Sequence, residues 1–178
     1  MAEKKYVYPF DEAYGLGKEL LGGKGAGLAE MSHIGVPVPE GFTITTEACT
    51  LYYESGKEIP AFVVDQIFEA VKGIEKKTGK TFGGDKNPLL VSVRSGARVS
   101  MPGMMDTILN LGLNETTCAA IARETNNERF AMDSYRRFIL MFTNIAKGHP
   151  RDDMDKMLDD FKKANGYKLD TEVTADQL

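Results

Sequence analysis

Apolar residues recur along most of this chain with a helical period, and only a few short stretches alternate as strands do. Residues 60–78 place Val63, Val64, Ile67, Phe68, Val71 and Ile74 on one side of a helix. The longest stripe, over 127–147, is Phe130, Ala131, Tyr135, Phe138, Ile139, Phe142, Ile145 and Ala146. A shorter amphipathic helix uses Met154, Met157, Leu158 and Phe161, with Gly166 as its stop. These Met and Phe stripes read as core-packing faces. Residues 25–34 predict a helix with Leu28, Met31 and Ile34 on one face and Gly35 behind it.

The connector at 36–41, with prolines at 37 and 39, is expected to be extended, because each proline turns its predecessor away from the helical region. A short strand at 42–45 comes next, then a helix capped by Thr46 and running to about 55. Residues 78–88 read as a polar, glycine-containing loop. Leu89, Val91 and Val93 alternate with Leu90, Ser92 and Arg94 as in a strand, and a second strand is expected at 107–111. Asn114 is placed to cap a helix reaching about 125. The fold class predicted is α/β (α+β), helix-rich, with a small sheet and a helical segment at about 115–166.

A chain of 178 residues can bury the core of one domain. Its charges are mixed and sum to only −4, which gives no basic face for nucleic acid. No apolar run approaches the roughly 20 residues that cross a bilayer. The first residues run directly into ordinary sequence without a secretory apolar stretch, so a cytoplasmic protein is expected. Cys49 and Cys118 have no Cys or His at ligand spacing and are expected to be small buried or half-buried residues. Thr174 and the residues 175–178 after it resemble a cap and the start of another helix. Nucleation costs more than so short a helix returns, so a longer parent chain is expected.

Two segments could carry chemistry. In Leu21-Gly22-Gly23-Lys24-Gly25-Ala26-Gly27, glycines let backbone N–H groups approach an anion, a helix start adds the positive end of a dipole, and Lys24 adds an ammonium. The P-loop spacing is absent, so a tight turn with a surface lysine is an equal reading. In Leu90-Val91-Ser92-Val93-Arg94-Ser95-Gly96-Ala97, a strand delivers Arg94 at its carboxyl end, where open α/β sheets bind ligands. The guanidinium fork suits phosphate oxygens. Behind it, Met101-Pro102-Gly103-Met104-Met105 reads either as a loop whose methionines fill gaps or as a mobile cover over a nucleotide.

Other candidates carry less. His33 and His149 have no nucleophile or acid partner at a readable spacing. Asp152, Asp153, Asp155, Asp159 and Asp160 are interleaved with apolar helix positions and Lys156, so they read as a solvated helix face and no metal site is assigned. Arg136 and Arg137 read as surface or interdomain charges.

LLGGKGAGLAEM at 20–31, GVPVPEGFTITTEAC at 35–49 and SVRSGARVSMPGMMDTILNLGLN at 92–114 resemble the N-terminal region of pyruvate, phosphate dikinases. The resemblance runs from about Tyr6 to Leu178. Pyruvate, water dikinases share a GGK segment but lack the pattern at 96–98 and 101–105, and they stand as the alternative within the enzyme class. A non-catalytic nucleotide-binding or interaction module is the alternative outside it.

The resemblance implies that 1–178 is the first lobe of an ATP-grasp-like nucleotide domain. A swivelling domain with a phosphocarrier histidine and a (β/α)₈ pyruvate-binding barrel would come after it, with homodimers formed only by the full-length chain. The implied reaction interconverts ATP, phosphate and pyruvate with AMP, pyrophosphate and phosphoenolpyruvate, with Mg²⁺ and a monovalent cation. Lys24 and Arg94 match the family's phosphate-contacting lysine and arginine, and Gly103, Met104 and Met105 match a loop that closes over the terminal phosphate. Neither His33 nor His149 matches the carrier histidine. The family's metal-binding carboxylates and adenine-contacting residues are expected outside this chain, so the piece alone is expected to be inactive.

Overall fold

A computed structural model describes residues 4–96 and 105–178, and these fall into two compact units. Of the described residues, the first holds 4–79, 95, 96 and 105, and the second holds 80–94 and 106–178. Among the described residues the architecture is helix-rich with three two-stranded ladders rather than one small sheet.

In the first unit, β1 (Val7–Pro9) pairs antiparallel with β2 (Phe42–Ile44), Tyr8 lying opposite Thr43. Three helices pack around this ladder: α1 (Gly17–His33), α2 (Thr46–Glu54) and α3 (Ala61–Thr78). Tyr6, Ala48 and Val63 form one buried cluster, and Ala13, Leu21 and Ala29 form another. The side-chain amide of Gln66 accepts from Tyr6 N at 2.7 Å and donates to Lys4 O at 2.9 Å, so α3 holds the strand as a neighbouring strand would. Lys77, near the end of α3, reaches both Asp11 (2.5 Å) and Glu40 (3.3 Å).

Helix α1 differs most from its sequence reading. It begins at Gly17 instead of Gly25, and its buried positions are Leu21, Gly22, Gly25 and Ala29, whereas Met31 and Ile34 are 39% and 66% exposed. The contact face is made largely of small residues, because the helix lies against β2 too closely for larger ones. A Cβ on Gly25 would lie 2.8 Å from both Cγ2 and Oγ1 of Thr43, a β-branched side chain with little χ1 freedom. The N-cap of α2 is Thr45, not Thr46; the Thr46 hydroxyl instead donates to Glu19 O at 2.6 Å, tying α2 to α1. Phe68, expected on the buried face of α3, is 58% exposed, since Val63 and Ile74 make the core contact. Cys49 is also exposed, because Ala48 beside it is the residue that α2 buries.

In the second unit, β3 (Thr81–Phe82) pairs parallel with β4 (Pro88–Leu89), within and just after the expected loop. The strand read over 89–94 is divided, β5 (Val91–Arg94) pairing antiparallel with β6 (Thr107–Leu111) across a register shift between Val91 and Val93. Helix α4 (Glu115–Thr125) starts where the sequence places it: Asn114 Oδ1 accepts from Thr117 N at 2.9 Å and Asn114 N donates to Thr117 Oγ1 at 2.8 Å. Such a cap stabilises a helix by about 1 kcal/mol.

Helix α5 (Glu128–Lys147) buries Ala131 and half-buries Tyr135, Phe138 and Phe142, with Phe130 and Ile139 exposed. Helix α6 (Arg151–Asn165) leaves Met157 72% exposed, contrary to its place in the apolar stripe. The last residues close in 3-10 turns at Asp170–Glu172 and Ala175–Gln177, the latter capped by Thr174 as a single turn. Arg129 fixes this stretch by donating to the carbonyls of Val173 (2.8 Å) and Asp170.

Arg136 is not a surface charge: its side chain is 19% exposed and donates to Asp133 at 2.8 Å. Burial pushes the Asp133 carboxyl up, but hydrogen bonds from Arg136 and Arg137 outweigh it and hold the group below its ordinary value of 3.8. A depressed folded-state value stabilises the fold above the unfolded carboxylate range, and that contribution is lost as pH falls through the folded value.

This packing sets the outcome of three substitutions. Gly25→Ala should destabilise the first unit by about 1–3 kcal/mol through overpacking against Thr43. Gly27→Ala, with nothing within 4 Å of the added carbon, should stabilise it by up to about 1 kcal/mol through helix propensity. Urea denaturation of both variants checks the difference in sign. Asp133→Asn should cost about 1–3 kcal/mol at neutral pH, with the gap to wild type closing in acid. Urea midpoints measured from pH 7 down to pH ~2, below ordinary carboxylate values, test this.

Candidate functional site

The glycine-rich segment is helical, except at one residue. Gly22 has φ 70° and ψ 169°, so α1 is two helical pieces joined at a break. That conformation is open to glycine and strained for any L residue with a Cβ. The turn after the break is a new helix N-terminus, where the first N–H groups do not follow a helical path to carbonyls four residues earlier. The positive end of the second piece's dipole lies there too. Lys24 is in this turn and exposed, and its ammonium donates to Ser95 O at 3.0 Å. An ammonium has three donors, so this bond leaves others for an anion. The break and the exposed Lys24 beside it answer to the tight turn with a surface lysine that the sequence offered.

Arg94 ends β5 in the second unit, opposite Thr107, and is exposed. Among the described residues its guanidinium has no carboxylate or carbonyl partner. Met105 is half-buried at a bend preceding β6. Gly103 and Met104 lie outside the described residues.

The weaker candidates take structural roles. His33 stacks on Tyr14, with ring centroids 3.6 Å apart and planes 6° from parallel. His149 closes the end of α5, its N–H donating to Thr143 O and its carbonyl accepting from Asn144. In α6, Asp155 pairs with Arg151 at 3.0 Å and Asp159 with Lys162 at 2.9 Å. No group of three or more His, Cys, Asp or Glu that could hold a metal ion occurs among the described residues. Nor is any described helix long and apolar enough to cross a membrane.

A groove of about 630 Å³ in the first unit runs beside α3 over Val7, Phe42, Phe62 and Ile74. Both of its lysines are engaged, Lys5 by Glu12 and Lys77 by Asp11 and Glu40, so it offers no uncommitted cation to a phosphate. Sequence reasoning offered a tight turn in this segment without placing it at Gly22, and it missed the Gly25 contact and the Ser95 carbonyl. The doubled glycine at 22–23 was the available signal for that placement; a backbone carbonyl leaves none.

The sequence matches the family described as pyruvate phosphate dikinase, AMP/ATP-binding domain, over residues 18–59 and 54–136. The chain belongs to this family. Its relatives carry the name pyruvate, phosphate dikinase: that of Clostridium symbiosum is 55% identical over 98% of this chain, and that of Entamoeba histolytica 54% over 97%. A chloroplastic pyruvate, phosphate dikinase of Zea mays is 49% identical over 98% of the chain. The chain spans about a fifth of the length of these relatives, 20%, 19% and 19% respectively.

Proposed function

We propose that this polypeptide is the leading part of the nucleotide-binding domain of a pyruvate, phosphate dikinase and supplies one lobe of an ATP-grasp-like cleft. The observation that carries this reading is identity of about half the residues, sustained over 98% of the chain, to a protein of that name. Both cation-bearing segments lie inside the matched region, Lys24 in 18–59 and Arg94 in 54–136.

In this reading the full-length protein interconverts ATP, phosphate and pyruvate with AMP, pyrophosphate and phosphoenolpyruvate in a cytoplasmic setting. The ammonium of Lys24 and the guanidinium of Arg94 each bind phosphate oxygens of ATP. They offset negative charge as the β,γ-pyrophosphoryl unit passes to a histidine on a swivelling domain elsewhere in the protein. Gly103, Met104 and Met105 cover the terminal phosphate and exclude water. The break at Gly22 and the dipole behind it support the assignment at Lys24, because they orient donors where phosphate charge would lie.

Mg²⁺ is implied by the family. The described residues offer no set of carboxylates that fits it: those of α6 lie along one helix, with Asp155 and Asp159 committed to cations of that helix. Adenine burial is likewise assigned to the rest of the domain, so the 178-residue piece should bind ATP weakly and not turn over.

In the full-length protein, Lys24→Ala and Arg94→Ala should each slow histidine phosphorylation from ATP by at least about tenfold, the scale of one lost charge-assisted contact. Exchange between pyruvate and phosphoenolpyruvate, chemistry of the barrel, should persist. Rapid-quench measurement of phosphohistidine beside isotope exchange separates the two. Equal loss of both half-reactions in folded protein would count against the assignment.

A further inference from the structure

Gly22 lies inside α1 with φ and ψ outside the helical region, and both sides of the break are tied down independently. Before it, the carbonyl of Glu19 accepts from the Thr46 hydroxyl at 2.6 Å. After it, Gly25 lies on Thr43, with room for no further carbon. Thr43 and Thr46 belong to one continuous stretch that joins β2 to α2. The same short piece of chain therefore grips α1 above and below Gly22 and fixes the offset between the two helical pieces.

Lys24 lies between the break and the second grip. Its main-chain position is set by the conformation of Gly22 and by the seating of Gly25, and its ammonium is steered by the Ser95 carbonyl at 3.0 Å. A straight helix through residue 22 would turn the later residues about the helix axis relative to Glu19. The two grips could not then both be kept.

We infer that Gly22 is a positioning residue for phosphoryl transfer: its left-handed conformation sets where the Lys24 ammonium meets the phosphates. Gly22 touches no substrate in this scheme and acts through Lys24. The inference rests on the role proposed for Lys24 and adds a requirement on backbone stereochemistry that the role alone does not contain.

An L-alanine at 22 either retains the positive φ under strain or relaxes it by shifting the turn that carries Lys24. A D-alanine prefers positive φ and accepts the conformation while adding the same methyl group. The test uses the full-length protein, with the D-residue introduced by ligating a synthetic N-terminal segment. Gly22→Ala should slow histidine phosphorylation at saturating ATP by about ten- to a hundredfold, the cost of a misplacement near 1 Å. D-alanine at the same position should recover most of that loss.

The double variant Gly22→Ala/Lys24→Ala should be no slower than Lys24→Ala alone, since one effect runs through the other. Multiplying effects would show Gly22 to be merely structural, and a D-alanine protein as slow as the L-alanine one would overturn the requirement for positive φ. Thermal melts of each variant identify any that fail to fold; if Gly22→Ala is among them, the D-alanine protein is compared with wild type, and a rate about tenfold or more below wild type overturns the requirement for positive φ. If Lys24→Ala alone leaves the rate unchanged, the assignment of the phosphate site falls, and the inference with it. If Lys24→Ala is slow and Gly22→Ala is not, only the inference falls.

Discussion

A close approach between a helix and a strand organises the first unit, and it is possible only because residue 25 has no side chain. With α1 seated against Thr43, Leu21 and Ala29 fall one turn to either side and become buried. The ladder below passes the contact on: β2 pairs with β1, and the main chain just before β1 is held by the Gln66 amide of α3. Two small clusters, one around Leu21 and one around Val63, thus lie on a shared two-stranded support. Packing density makes such an arrangement sensitive to single carbons, since a close-packed interior cannot absorb an added methyl group without moving its neighbours.

Much of the helical framework was legible because its signals are local. Asn114 caps α4 through a side chain whose chemistry is written in its identity, and Gly79, Gly148 and Gly166 end α3, α5 and α6 in the left-handed conformation that glycine favours. Period alone marked the helices correctly but misjudged their depth. Phe68, Ile139 and Met157 share apolar stripes and are nonetheless exposed, because a stripe states which residues could be buried and not how far the neighbouring element extends. The same limit hid the buried face of α1. A hydrophobicity pattern gives glycine and alanine little weight, yet here they make the contact.

The candidate site was legible to a different degree. Lys24 and Arg94 could be singled out from charge, glycine content and strand position, but their ranking above other cations came from resemblance to dikinases. Their surroundings separate them further: Arg136, which sequence reading also considered, is committed to Asp133, whereas Arg94 is exposed. The Ser95 carbonyl that meets Lys24 could not have been found, since every residue has a carbonyl and only the fold determines which one a lysine reaches.

Arg129 grips main chain rather than side chain, and that choice has an evolutionary side. Its guanidinium holds the carbonyls of Asp170 and Val173, atoms that any amino acid would supply. The specification of that join is lopsided: it is concentrated in one position on α5 and almost absent from the two carbonyl positions as far as this bond is concerned. Substitutions at those positions would meet other demands, the burial of Val173 and the bond from Lys162 to the Asp170 carboxylate, whereas a substitution of Arg129 would meet the grip itself. In the course of sequence drift, the fastening would be preserved in a single codon while the residues it fastens were free to change under constraints of their own.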